Sequence, residues 1–278
     1  MRSYRRGALA TATWVGVAAM AIWTLAPIAV MVFTSMKPRD EIFAIPPSLF
    51  PGSWTLQNYV EVFTNSSMPR AFLNSILAAG FVTLMTLILC TSAGYALARF
   101  RFRSARPIAL FILLGQMVPI TVLLLPLYEM IGAMRLQDSV VGLAIAHLVI
   151  TVPLVTWMIR NQIAAIPIEL EEAAMMDGGS RLDAVTYVTL PVAAPGIAAA
   201  GMYAFLQSWH EFVLASVLTS SASAQTAPVA LTEFASEFRV DWGSTMAASV
   251  VLTVPVVIVF IALQKYFVRG LASGAVKG

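Results

Sequence analysis

Long apolar runs separated by short polar segments follow one another along almost the whole chain. A helix needs about 20 mostly apolar residues to cross the hydrocarbon core of a membrane, and six runs are long enough. The predicted spans have their cores at residues 12–34, 72–97, 108–128, 139–159, 189–217 and 246–267. The pattern therefore predicts an all-α membrane protein with six transmembrane helices, formed as a single domain over residues 1–278.

The composition of the chain agrees with a membrane environment. The 278 residues are 59% hydrophobic and only 11% charged, with a mean hydropathy of +0.82, whereas soluble domains carry about 25% charged residues. So few charges cannot cover a water-exposed surface, and lipid must be the main solvent of this chain. The one cysteine, Cys90, lies in an apolar run and is predicted to be a small packing residue.

The basic residues are unevenly distributed among the polar segments. Twelve of the 17 lysines and arginines fall near the two ends of the chain and in the segments 99–106 and 160–181, and five fall in the alternate segments. Because cytoplasmic segments are rich in Lys and Arg, we expect both termini and residues 160–188 to lie in the cytoplasm. The first apolar run exceeds the roughly 7–15 residues of a signal peptide, so we interpret it as a retained span.

Residues 166–191 are the least apolar part of the predicted cytoplasmic side. Pro167 suits the first position of a helix, because its missing N–H needs no partner there. The positive end of a helix favours the carboxylates that follow, which are Glu169, Glu171 and Glu172. Gly178 accepts the positive φ with which helices commonly end. We therefore predict a short helix, a glycine bend and a second helical run over residues 181–188 that leads into the next span.

One face of this short helix is apolar, because Ile166, Leu170 and Ala174 recur every four residues. Such a stripe suits docking in a groove of another protein. It also suits a helix that lies on the membrane surface, and the pattern alone leaves both interpretations open.

The segment EEAAMMDGGSRLDAVTYVTLP, residues 171–191, resembles the EAA loop of ABC-importer permeases in identity and spacing. The matching positions are Glu172, Ala173, Ala174, Gly178, Val188, Leu190 and Pro191. Four other segments resemble the carbohydrate-uptake branch, and within it the second permease of the maltose-transporter type: Asn74-Ser75, 94–102, 117–128 and 241–249. The C-terminal LASGAVKG is similar to the tails of maltose-type and trehalose-importer permeases.

This resemblance implies a type I importer permease in a bacterial or archaeal plasma membrane. It implies that the acidic segment is the coupling helix, which docks in a cleft of a cytoplasmic ATP-binding cassette. The implied coupling residues are Glu172, Ala173, Ala174, Asp177, Gly178, Leu190 and Pro191. The implied tail residues between two cassettes are Ser273, Gly274, Val276 and Lys277. The implied partners are a second, homologous permease, two copies of the cassette, and an external solute-binding protein or lipoprotein.

The sequence carries no nucleotide site of its own. A P-loop contains a Gly-Lys pair, and no such pair occurs in the chain. We therefore expect ATP and Mg to be bound by the cassette subunits, and this chain to hold no cofactor and to catalyse no reaction. Its expected role is to convert cassette closure into alternating access.

Polar side chains inside a membrane span are costly and so point to function. The fifth run brings together Gln207, Trp209, His210 and Glu211, and Gln116 in the third run is a weaker candidate for the substrate path. Gln207 and Glu211 are four residues apart, so one continuous helix presents them on the same face. Family members commonly carry Asn where this chain has His210, which leaves the local hydrogen bonding open.

A buried polar latch between helices is the alternative role for Gln207 and Glu211. His147 stands alone on an apolar span and is expected to be a packed, hydrogen-bonded residue. The resemblance implies a carbohydrate substrate, such as a disaccharide or oligosaccharide of the trehalose or maltose type. An amino sugar or a glycerol-phosphate diester is the alternative within the same class of importer.

A proton-coupled carrier, with His210, Glu211 and Glu129 as its relay, is a remote alternative, because no convincing inverted repeat is present.

Two external segments, residues 37–70 and 219–244, are long enough to meet an external partner.

Overall fold

The computed structural model of the chain describes residues 2–100, 103–235 and 240–274. In these ranges the secondary structure is helical, apart from an isolated antiparallel bridge between Ala235 and Val240. The helices are α1 (Arg2–Ser35), α2 (Arg39–Ile42), α3 (Gln57–Thr64), α4 (Met68–Arg99), α5 (Ala105–Leu114), α6 (Ile120–Ala133), α7 (Val140–Ala164), α8 (Glu169–Met176), α9 (Arg181–Asp183), α10 (Leu190–Trp209), α11 (Val213–Leu218), α12 (Ala227–Ala230) and α13 (Trp242–Gly274). Short 3₁₀ segments cover Gly115–Met117 and Leu231–Phe234, and a π-helical segment covers Ala184–Thr189.

Five helical stretches of the described chain are long and apolar enough to cross a membrane: 13–35, 68–99, 140–164, 181–209 and 242–264. A sixth crossing arises if the pair formed by 107–117 and 120–133, bent by 101°, counts as one span. A single helix over residues 108–128, as the sequence predicts, is therefore wrong. Pro119 explains the break, because it has no N–H to donate and favours extended backbone at Val118, whose ψ is 120°.

The fifth predicted span, 189–217, also differs from the structure. The helical turns from Arg181 run through the π-helical segment into α10 without a gap, and α10 ends at Trp209. One continuous helix to residue 217 is wrong, because the chain leaves helical geometry after Trp209 and resumes it in α11. The start is well defined, since Ser180 and Asp183 form a reciprocal capping box.

The chain forms two compact units, residues 1–69 with 231–254 and residues 70–230 with 255–278. The first unit holds α1, α2, α3 and the beginning of α13. Helix α1 has a strongly apolar surface, with Trp14 and Trp23 exposed by 73% and 85%. Such a surface suits contact with lipid or with another membrane subunit.

Polar contacts tie the loop segments of the first unit together. The side-chain amide of Asn58 on α3 donates to the carbonyl oxygens of Ser35 and Lys37, each at 2.9 Å. Arg39 forms an ion pair with Asp241. The segment after α1 therefore has its own ordered structure, and it does not act as a loose linker.

The core of the second unit lies where α7 packs against α10. Its buried members are Cys90, Val155, Ile159, Ile163, Ile166, Ala193, Ala200 and Ala204. The alanines of α10 let the helices approach closely, as small residues do in membrane proteins. Gly94 serves the same purpose on α4, because an added Cβ would lie 3.0 Å from the backbone nitrogen of Arg160. Cys90 is fully buried here, as the sequence predicts.

The Asn74-Ser75 pair fixes the segment before α12 to the first turns of α4. The Asn74 amide donates to the carbonyl oxygens of Ser223 and Gln225 at 2.9 Å each. The Ser75 hydroxyl oxygen accepts the backbone N–H of Ala227 at 2.9 Å. Both side chains are buried, so this end of α4 and residues 223–227 are held as one piece.

Candidate functional site

Helix α8 forms the predicted short acidic helix, with Glu169, Glu171 and Glu172 in its first turn. It ends at Met176, and Gly178 follows with a φ of +91°. That conformation is costly for residues with a Cβ, which explains the glycine at this bend. The helix begins two residues after Pro167, whose carbonyl oxygen accepts the N–H of Leu170 at 3.4 Å.

The predicted coupling residues differ in their exposure. Glu172, Ala173, Asp177, Gly178 and Pro191 are exposed, whereas Ala174 and Leu190 are half-buried. Those on α8 and its bend form a surface that a partner can reach, and their contact with a cassette stays a prediction.

The predicted apolar stripe is corrected by the structure. Ile166 is buried in the core between α7 and α10, so it is unavailable to a partner. Leu170 remains exposed, and further exposed apolar side chains surround it along the segment: Ile168, Met176, Leu182 and Tyr187. The physical reason is that Ile166 precedes α8 and continues the packing of α7, so the helical period does not extend to it.

The deepest contacts of α8 belong to Glu171. Its Oε1 accepts hydrogen bonds from Arg99 Nε and Thr189 Oγ1, both at 2.7 Å, and its Oε2 accepts one from Tyr95 at 2.9 Å. Arg99 also donates to the carbonyl oxygen of Ile166 at 3.0 Å. The carboxylate thus joins the end of α4, the start of α8 and the π-helical segment.

Burial of Glu171 raises the pKa of its carboxyl, but the hydrogen bonds from Thr189, Arg99 and Tyr95 outweigh that effect and hold the pKa below its ordinary value. Sequence reasoning missed this anchor and treated Glu171 as one of three equivalent carboxylates. The available signal was the spacing of Tyr95 and Arg99, which lie four residues apart on one face of α4 and next to the predicted cytoplasmic boundary.

A cavity of about 410 Å³ opens beside the end of α10. Its lining residues are Ile120, Tyr203, Leu206, Gln207, His210, Glu211, Phe212 and Val213. Three of the five residues predicted for the substrate path therefore meet here, namely Gln207, His210 and Glu211. The mixture of aromatic, apolar and hydrogen-bonding side chains is the kind that small-molecule sites use.

The other two predicted path residues lie outside the lining of this cavity. Trp209 is buried, with its ring stacked on Phe205 at 5.6 Å between centroids and edge-on to Phe72 at 5.7 Å. Gln116 donates from its side-chain nitrogen to the carbonyl oxygen of Ile150 at 2.8 Å. Both residues have structural contacts, and a role for either in the path stays a prediction.

Glu211 lines the cavity, and its two carboxylate oxygens also accept hydrogen bonds from neighbouring elements. Its Oε1 accepts the N–H of Leu214 at 2.8 Å, and its Oε2 accepts the N–H of Ala215 at 3.0 Å. Oε2 also lies 3.2 Å from Nε2 of His147, which donates to it. The other ring nitrogen of His147 is 2.7 Å from the hydroxyl of Ser208. These bonds explain why the chain breaks after Trp209, and they give Glu211 the geometry of the alternative latch.

The predicted tail contacts are only partly within the described chain. Ser273 and Gly274 lie in the last turn of α13, whereas Val276 and Lys277 lie outside the described residues. Among the residues that the structure does describe, no group of His, Cys, Asp and Glu side chains is arranged to hold a metal ion.

The first unit contains a separate polar cleft of about 490 Å³ in the segments predicted to be external. It is lined by Pro38, Arg39, Thr55, Gln57, Asn58, Glu61, Asp241 and Ser244. Both predicted external segments contribute to it, so they share one polar surface.

Residues 90–273 match the family described as binding-protein-dependent transport system inner membrane component. The chain belongs to this family. It is a membrane permease of an ABC importer, and ATP hydrolysis belongs to separate cassette subunits of such a transporter. Family membership also shows that the remote alternative of a proton-coupled carrier is wrong.

Two curated relatives align with the permease over nearly its whole length. One is the trehalose/maltose transport system permease protein MalG of Thermococcus litoralis, which is 34% identical over 95% of this chain and 95% of its own. The other is the diacetylchitobiose uptake system permease protein DasC of Streptomyces coelicolor, which is 33% identical over 91% of each chain. These relatives confirm the predicted resemblance to the carbohydrate-uptake branch of ABC-importer permeases.

A solved structure shares the fold of the permease. It is a chain of a bacterial ABC transporter involved in the import of the acidic polysaccharide alginate. The TM-score is 0.78 at 22% identity, with 96% of this chain and 98% of that chain covered. The predicted all-α importer permease fold is therefore confirmed.

Proposed function

We propose that the permease imports a carbohydrate, of disaccharide or oligosaccharide size, in an ATP-driven transporter. Full-length similarity to two permeases named for the uptake of glycosides carries this proposal: one for trehalose and maltose, and one for diacetylchitobiose. The cavity beside α10 supports it, because sugars bind through hydrogen bonds to hydroxyls and through aromatic faces, and Gln207, His210 and Phe212 offer both.

The proposed complex contains this permease, a second, homologous permease, two ATP-binding cassettes and an external solute-binding protein. ATP and Mg bind to the cassettes. Both termini and α8 face the cytoplasm, as the distribution of Lys and Arg favours. The exposed apolar side chains around α8 and the carboxylate of Glu172 support cassette docking there, because a short helix with anchors on one side fits a groove of a partner.

Cassette closure then moves α8, and the permease pair changes from inward-facing to outward-facing. The substrate passes between the two permeases, with Gln207 and His210 as the polar contacts from this chain. The polar cleft of the first unit, which is lined by residues 38–61 and by Asp241 and Ser244, is the proposed docking area for the solute-binding protein.

The proposal is tested by isolating the transporter from its native membrane through a tag on this chain. A cassette protein and a second permease must co-purify, and the complex must hydrolyse ATP. The external binding protein is then titrated with trehalose, maltose and diacetylchitobiose, and uptake of the bound sugar is measured in proteoliposomes. Binding and ATP-dependent uptake of a sugar support the proposal, whereas uptake of a non-carbohydrate solute alone contradicts the substrate class.

An amino sugar is the second candidate substrate, because diacetylchitobiose, named for the Streptomyces relative, is an amino sugar. A preference for diacetylchitobiose over trehalose and maltose in the same titration identifies this candidate. A glycerol-phosphate diester remains the third alternative and is added to the titration as a competitor.

A further inference from the structure

Helix α4 is fixed at both ends by buried side chains on different segments of the second unit. Near its start, Asn74 and Ser75 bind residues 223–227 through three hydrogen bonds of 2.9 Å. Near its end, Arg99 and Tyr95 bind the carboxylate of Glu171 on α8. Residues 74 and 99 are 25 positions apart, so these anchors are separated by roughly 37 Å at about 1.5 Å per residue.

The anchor at α8 restrains movement in several directions. The carboxylate of Glu171 accepts three hydrogen bonds from three different side chains, and the guanidinium of Arg99 also holds the carbonyl oxygen of Ile166. The side chains of Arg99 and Glu171 are 6% and 5% exposed. A buried ion pair whose bonds are satisfied on all sides keeps a fixed geometry, so α8 cannot shift without moving the end of α4 or breaking the pair.

The anchor at residues 223–227 is also buried, but its bonding is less complete, because Asn74 Oδ1 has no hydrogen-bond partner among the described residues. Asn74 is fully buried and uses both of its amide hydrogens on carbonyl groups of this segment. The exposed residue Ala222 directly precedes this segment, which leads into α12. Since α4 is one uninterrupted helix between the anchors, we expect a displacement of one end to be transmitted to the other.

We propose that Glu171 and Asn74 are positioning residues of transport, which make α4 a strut that moves the coupling helix α8 and the external segment 219–230 as one body. Glu171 acts inside the permease, and the exposed Glu172 acts on the cassette. The proposal rests on the proposed function, because it assigns the way in which cassette closure reaches the external surface.

The test uses the complete transporter in nanodiscs, with Cys90→Ala and Ala222→Cys in this chain. The measured quantity is the rate at which an impermeant maleimide modifies the cysteine at position 222, with and without trapping by ATP and vanadate. In the parent protein, trapping should change the rate at least roughly fivefold, the lower end of typical coupling between distant sites. Thr189→Val and Ser75→Ala each remove one bond from opposite anchors, and each should reduce that change.

Glu171→Gln and Asn74→Ala should reduce the change further, to about twofold or less, and the double variant Glu171→Gln/Asn74→Ala should behave like either single variant. Effects that do not add are expected when both residues act through one rigid element. Glu169→Gln and Ser92→Ala are the matched controls, because Glu169 is an exposed carboxylate of the same helical turn and Ser92 bonds only within α4. Both should leave the response intact.

The strut is contradicted if trapping leaves position 222 unaffected in the parent, if the four anchor variants keep the full response, or if the two anchors reduce it independently. ATP hydrolysis and co-purification of the subunits are measured on every variant. A parent chain that neither binds a cassette nor hydrolyses ATP with it contradicts the proposed function itself, which separates that failure from failure of the strut.

Discussion

Arg99 Nε donates to Glu171 Oε1 at 2.7 Å, between two side chains that are almost completely buried. This pair joins the long helix α4 to the first turn of α8. Breaking such a pair by removing one partner leaves an uncompensated buried charge, which costs about 3–5 kcal/mol. The carboxylate of Glu171 therefore contributes to stability, and it is also the proposed link between α8 and α4.

The first prediction concerns the pH dependence of this pair. The pKa of Glu171 is held below its ordinary value in the folded state, so its ionisation stabilises the fold above the unfolded pKa of about 4.3. That stabilisation should be lost as the pH falls from about 4.3 through the lower folded pKa. The melting temperature of the purified complex should therefore fall less steeply with acidification in Glu171→Gln than in the parent. Parallel curves would contradict the assignment.

Arg99→Met is the second prediction. It removes the cation and leaves the carboxylate of Glu171 buried without an ionic partner, whereas the amide oxygen in Glu171→Gln can still accept a hydrogen bond from Arg99 Nε. The melting temperature at pH 7 should therefore fall more in Arg99→Met than in Glu171→Gln. The double variant Arg99→Met/Glu171→Gln should regain part of the loss, because the buried charge is then absent. A double variant less stable than Arg99→Met would show that the two side chains contribute independently.

The third prediction concerns coupling. Gly178 has a φ of +91°, and nothing lies within 4 Å of the position of an added Cβ. The conformation alone therefore disfavours substitution, and Gly178→Pro, which fixes φ near −65°, should lower uptake per ATP hydrolysed while the chain still inserts in the membrane. Gly80→Ala is the control, since this position is equally open and lies inside α4. Normal uptake in Gly178→Pro would contradict a role for the bend.

Glu172→Lys tests the same surface without altering the backbone. Glu172 is exposed, so reversal of its charge should weaken cassette binding and uptake, with little effect on the melting temperature of the isolated permease. Glu169→Lys, in the same first turn, is the control for general charge effects. Equal uptake in both variants would remove Glu172 from the docking surface.

Helix α8 could be predicted from the sequence, because the residues that limit it lie next to it in the chain. Pro167 and Gly178 bracket α8 because proline and glycine restrict or relax φ wherever they stand. The sequence could not predict that Glu171 is buried and Glu172 exposed. The helical period gives the angle between neighbouring side chains, about 100°, but it does not say which of them points toward the rest of the protein. Which of the two faces inward depends on Arg99, which lies 72 positions away in the chain.

The break after Trp209 was hidden for a related reason. The apolar pattern is interrupted only at His210-Glu211 and continues to residue 217, so hydropathy predicts one span over 189–217. The break is stabilised by hydrogen bonds that Glu211 accepts from two N–H groups of α11 and from His147, which lies 64 positions away. These contacts support the alternative role of Glu211 as a buried latch between helices. The apolar pattern could not predict them, because they join residues that are far apart in the chain.

Topology gives the fourth prediction. In a Cys90→Ala background, Ala222→Cys should react with an impermeant thiol reagent added outside intact cells, and Ser180→Cys should react only after the membrane is opened. Both positions are exposed, whereas Ala224, two residues away from the first, is only 4% exposed and is unsuitable for labelling. The reverse pattern of reactivity would invert the orientation in which both termini are cytoplasmic.

The last prediction separates the latch from the substrate path at the end of α10. Glu211 accepts three hydrogen bonds within the second unit, so Glu211→Gln should lose about 1–3 kcal/mol of stability, because one donor then lacks an acceptor. Its KM for uptake should stay close to the parent value. Gln207 lines the same cavity, and Gln207→Ala should instead raise KM while the melting temperature stays close to that of the parent. Uptake measured against substrate concentration, beside melting of the purified complex, distinguishes the two. A raised KM with unchanged melting in Glu211→Gln would assign that carboxylate to the sugar and leave His147 without its proposed structural partner.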